Sequence, residues 1–132
     1  GDADSDIVSD ALVKLHENDK SIEMPLYVNL IKVSHHGSKA NIRKRFLDLT
    51  DCQNYLFTTN GGSGGSYHPD RTTIAYLWKY SKYSENKKLT LYFNYPLTKI
   101  EERNIGLLTF DEMNLFNIVD SYEDNSFPTI TI

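Results

Sequence analysis

The sequence predicts a layered α/β domain, parallel in its first half and closed by an antiparallel edge or hairpin. Three observations carry that reading. Helix-like and strand-like segments alternate through residues 5–80. The apolar stretch LYVNLIKV (26–33) is too short and too β-branched for a helix. From residue 88 the hydrophobic pattern changes to period two.

The first segment, SDIVSDALVKLHE (5–17), sets Ile7, Ala11 and Leu15 beside Val8 and Leu12, a helical stripe. Asp4, Ser5 and Asp6 supply an N-cap and first-turn charge of the favourable sign. LYVNLIKV has few polar interruptions and predicts a strand largely buried on both faces. From Ser38 the spacing predicts a second helix, with Ile42, Phe46 and Leu49 on one side and Arg43, Lys44 and Arg45 on the other. CQNYLFTT (52–59) is the next predicted strand. NGGSGGSYHPD (60–70) holds four glycines and two serines and reads as a flexible loop. His68-Pro69-Asp70 then starts a third helix with proline at its first position, and Ile74, Leu77 and Trp78 form its apolar face.

Beyond SENKK (84–88) the prediction turns to strands. KLTLYFN (88–94) alternates Leu89, Leu91 and Phe93 with polar or smaller partners. NIGLLTF (104–110) and MNLFNIV (113–119) flank an Asp111-Glu112 turn as a predicted hairpin. FPTITI (127–132) reads as a last strand, with Pro128 favouring an edge. No repeat or linker divides residues 1–132, so they form a single domain or a fragment of one, with 85–132 as a strand-rich end that carries no placed motif.

With 132 residues, 39% of them hydrophobic and 24% charged, the chain is long enough to bury one core. A net charge of −4 argues against a large nucleic-acid-binding face but leaves room for a local basic patch. Cys52 is the only cysteine, which excludes an intrachain disulfide and a cysteine-rich metal site. No apolar run reaches the roughly 18 residues of a membrane span, and no signal peptide is present. With the single thiol, this predicts a cytoplasmic location. The abrupt GDAD start, without methionine, predicts a piece of a longer protein.

Chemistry in α/β proteins gathers at strand ends and in the loops before helices. Three polar clusters stand there: Asp2 in GDAD, His35 and His36 in SHHGS, and His68 in GSYHPD. Imidazole and carboxylate together suit zinc, manganese or iron. Each cluster also has a purely structural reading. Asp2 serves equally as a helix-capping acid, the histidine pair as a strand terminus with Gly37 turning the chain and Ser38 capping the helix, and His68 as a helix start. The glycine-rich loop suits an anion but lacks the Gly-Lys-Ser/Thr ending of a nucleotide P-loop.

Taken in order, GDAD (1–4), KVSHHGS (32–38) and NGGSGGSYHPD (60–70) resemble the C-terminal half of a metallo-β-lactamase-fold hydrolase, in its ComEC-like branch. The likeness covers residues 1 to about 80, and HHGS after an apolar strand is its most specific element. It implies the C-terminal half of an αββα sandwich, with zinc (or manganese or iron), two ions in the complete domain, at one edge of the sheets. A metal-bound hydroxide would attack a phosphodiester or other ester bond, since the metal lowers the pKa of its water. By position, Asp2 would bridge the metals, and one of His35 and His36 would be a ligand while the other orients it or touches substrate. His68 would donate a proton to the leaving group or hold a phosphate. The family's principal motif, His-x-His-x-Asp-His, is absent from the chain. The resemblance therefore implies a partner, the upstream half of the same domain, and a nucleic-acid or small phosphodiester substrate. Without that half, apolar sheet surface would invite self-association into a homo-oligomer or capture of a partner segment. The alternative is a non-catalytic binding or assembly module with a degenerate metal site.

Overall fold

A computed structural model of the chain describes residues 3–81 and 88–121. The first element is helix α1 (Ser5–Asn18), capped by Asp4, whose carboxylate accepts the Asp6 N–H at 2.8 Å. Its packing face differs from the predicted stripe. Ser5 and Ser9 are the buried residues, against helix α2 (Lys44–Leu49), while Ile7 is 70% exposed and Leu15 44%. Small serines let the two helices approach closely, and the Ile7–Ala11–Leu15 stripe is left facing out.

Strands β1 (Leu26–Tyr27) and β2 (Ile31–Lys32) occupy the predicted 26–33 segment and pair in parallel with β3 (Thr50–Asp51) and β4 (Asn54–Phe57). The expected second helix is broken: a 3-10 turn covers Lys39–Asn41, Ile42 and Arg43 are extended, and α2 follows. Helix α3 (Arg71–Tyr80) begins two residues later than predicted, with Asp70 as N-cap and a cis His68–Pro69 bond before it, so Pro69 is not its first residue. It buries Thr73, Ile74 and Leu77, and Trp78 is 47% exposed. Strand β5 (Leu89–Phe93) then enters the sheet as predicted.

The predicted antiparallel hairpin near the C-terminus is overturned. Thr109 and Glu112 form a reciprocal capping box that makes Phe110–Met113 a helix, α5, where a turn between strands was expected. Leu97–Glu101 is also helical, α4, so residues 88–121 are mixed rather than strand-rich. Only Phe116–Val119 of the proposed pair is a strand, β6, and it runs parallel to β5. FPTITI lies outside the described residues.

The main sheet is therefore parallel throughout, in the order β2-β4-β5-β6. Neighbouring strands follow one another in the chain with helices between them. Right-handed crossovers taken repeatedly in one direction put all those helices on the same face. The burial pattern agrees. Tyr55, Phe57, Leu89, Leu91 and Phe93 point to one face and join Leu47 of α2, Ile74 and Leu77 of α3, and Leu97 and Ile100 of α4 in one core. The opposite face carries the register rows Lys32–Leu56–Tyr92–Val119 and Asn54–Thr90–Asn117. Leu56, Tyr92 and Val119 are only half-buried, and Lys32 is exposed, so the segment 26–33 is not buried on both faces. Among the described residues no helix is long and apolar enough to cross a membrane.

Candidate functional site

The C-terminal ends of β2, β4 and β5 lie side by side, and the predicted histidines emerge there. A cleft of about 480 Å³ opens between the turn after β2, the loop after β4 and the residues just past β5. Its lining includes His36, His68, Ser63, Ser66, Asn94 and Tyr95.

The turn after β2 is strained. His35 (φ 50°, ψ 46°) and His36 (φ 56°, ψ 16°) are both left-handed, the only non-glycine residues at positive φ among those described. Such conformations cost about 1–3 kcal/mol each and persist where the surroundings enforce them. Here the surroundings do. Gly37 (φ +93°) is so tightly packed that a Cβ would stand 2.5 Å from Pro69 Cβ and 2.8 Å from Phe57 Cδ1. The His36 ring reaches the Thr58 carbonyl through Nδ1. A carbonyl only accepts, so Nδ1 carries the hydrogen and the neutral ring keeps its lone pair on Nε2. That is the tautomer and support of a ligand imidazole. His35 is exposed, its ring 6.5 Å from His36 at 86°, and it does not line the cleft.

His68 enters from the loop after β4. Its N–H donates to Gly61 O (3.3 Å) and its carbonyl accepts the Thr59 hydroxyl (2.9 Å). Its Nδ1 is buried without a hydrogen bond, and the nearest carboxylate oxygen, Asp70 Oδ2, is 3.8 Å away. Asp70 also joins the two histidine loops. Its N–H donates to Gly37 O (3.0 Å), and its Oδ2 accepts the Lys39 N–H (2.8 Å). The ring thus has Nδ1 turned inward and Nε2 left as its polar contact with the cleft.

The glycine-rich loop is a tight hairpin. Ser63 and Ser66 exchange backbone hydrogen bonds at 3.1 Å across Gly64 and Gly65, both at positive φ as a type I′ turn requires. The Gly61 and Gly62 N–H groups are taken by Thr59 Oγ1 and Asn60 Oδ1. These four N–H groups are turned into the loop itself, which removes them from an anion nest.

Asp2 lies outside the described residues. Among those described, no three His, Cys, Asp or Glu side chains converge as a metal group. The donor chemistry of His36 fits a metal, but the described set by itself is not a metal centre. Asn94, Tyr95, Thr59 and Asp70 were missed in the sequence. Asn94 follows its strand as His35 and His36 follow theirs, and that position was the available signal. No protein-family model, curated protein or solved structure matches the chain.

Proposed function

We propose that this chain supplies part of the site of a metal-dependent hydrolase of the metallo-β-lactamase type, ComEC-like branch, acting on phosphodiester or related ester bonds. The observation that carries the reading is His36. Its backbone is held in a costly conformation, its Nδ1–H is fixed on Thr58, and its Nε2 is free in a cleft shared with His68. In this reading His36 rather than His35 is the ligand, and Asp2 is the second donor. A zinc, manganese or iron site, two ions when complete, takes its other donors from an upstream His-x-His-x-Asp-His segment. A metal there supplies hydroxide near neutral pH. The chain's own tasks are to orient the His36 imidazole and to protonate the leaving oxygen from His68 Nε2. The half-buried second face of the sheet supports the same reading, because another layer of a sandwich would pack there.

That half-buried face also favours the alternative, a non-catalytic assembly module. One measurement separates the two: metal content and phosphodiesterase activity of the full-length parent, beside His36→Ala and Asp2→Ala. The hydrolase reading expects both quantities to fall in both variants. Wild-type metal content and activity in His36→Ala would reject it.

A further inference from the structure

We infer that Asn94 is a substrate-contacting donor in this cleft, placed to hold a phosphoryl or acyl oxygen with its side-chain amide. Strand β5 delivers Asn94 to the C-terminal edge of the sheet, one residue beyond Phe93, where its N–H bonds Phe57 O at 3.2 Å. The Thr59 N–H donates to Asn94 Oδ1 at 2.6 Å. A backbone N–H can only donate, so the atom that it meets is the amide oxygen, and the orientation of the amide is fixed. Nδ2 keeps two N–H donors and no hydrogen bond to another described residue.

Thr59 is itself locked, its hydroxyl donating to His68 O (2.9 Å) and accepting the Gly61 N–H (3.1 Å). One buried residue therefore sets Asn94 and the His68 loop in a common frame. Among the described residues the cleft lining contains no Lys, Arg, Asp or Glu, only the two imidazoles and neutral groups. Oxygens of an anionic group bound there would be held by such donors. A donor already oriented needs no reorganisation as negative charge develops, which is the condition for transition-state stabilisation.

A purely structural role, capping the Thr59 N–H, makes different predictions. Asn94→Asp keeps the acceptor and the shape but removes both donors and adds negative charge. Asn94→Ala removes the cap. If capping were the whole role, Asn94→Asp would behave as wild type and only Asn94→Ala would suffer.

This inference rests on the hydrolase reading only for the bond that is cleaved, and it is tested on the chain itself by titration with inorganic phosphate. The readout is the ¹H–¹⁵N signal of the side-chain amides. The Asn94 NH₂ pair is expected to shift saturably, and Asn94→Asp to weaken phosphate binding by about tenfold or more. In the hydrolysing parent the same variant is expected to lower kcat by about 10²-fold on a chromogenic phosphodiester, with a smaller change in KM. Phosphate that moves His68 and Ser66 but not Asn94, or that moves nothing in the cleft, overturns the inference, as does wild-type affinity in Asn94→Asp. These failures leave metal binding at His36 untouched. Conversely, phosphate bound at Asn94 in a parent without hydrolase activity removes the hydrolase reading and keeps the subsite.

Discussion

On one face of the sheet Tyr55, Phe57, Leu91 and Phe93 are 0–3% exposed beneath the helices; on the other, Leu56, Tyr92 and Val119 stand half-buried beside exposed Lys32 and Asn117. The strands are the same and the register is shared, so the difference comes from the connections. A parallel sheet whose strands follow chain order collects its helices on one side. Parallel sheets are otherwise covered on both faces. The comparison teaches that one face of this sheet is packed as a core while the second, of mixed apolar and polar character, stays half-buried among the described residues.

Substitutions on the two faces should differ most. Phe57→Ala is expected to cost about 3–5 kcal/mol in urea unfolding of the chain, and Leu56→Ala, one residue away, less than about 1 kcal/mol. Equal costs would mean that the faces are equally packed. Burial also pushes the Cys52 thiol up, so its labelling by a disulfide reagent should follow unfolding of the covered face and report the same midpoints. Gly37→Ala comes next, at about 2–4 kcal/mol, because it adds a methyl group against Pro69 and Phe57 at a left-handed position. Thr109→Ala, at the edge of the covered side, should cost about 1 kcal/mol by removing the α5 cap, read as a shift in thermal midpoint.

The smallest effect is a pH dependence. The Thr109 backbone N–H, and then Arg71 at 2.5 Å, hold Glu112 below its ordinary value of 4.5. A depressed carboxylate binds fewer protons folded than unfolded, so its stabilisation is complete above that value and is lost as pH falls through the lower folded value. The acid loss of stability should shrink in Glu112→Gln. An unchanged acid limb in that variant would mean that the α5 corner contributes nothing to it.

Much of the first eighty residues was legible because strand ends announce themselves locally. Val33 to Gly37 pass from apolar to polar to glycine, and His68 and Pro69 precede a helix. The convergence of those stretches on one cleft edge was legible only through the parallel α/β order. Other features had no local signal. The break at Ile42–Arg43 and the burial of Ser5 and Ser9 instead of Ile7 and Leu15 depend on how close α1 and α2 come. The α5 error was avoidable, since Thr-x-x-Glu at 109–112 is itself a helix-start signature that the apolar alternation overrode. Asn94 was read as the end of a strand pattern, because the donor logic that singles it out needs Thr59, 35 residues away.

The two left-handed histidines have an evolutionary consequence. Glycine or asparagine at positions 35 and 36 would relax the turn, so stability alone selects against histidine there. In a lineage that no longer uses the cleft, drift should therefore erase His35 and His36 while Gly37, Phe57 and Pro69 are kept by packing. The turn would outlive its imidazoles.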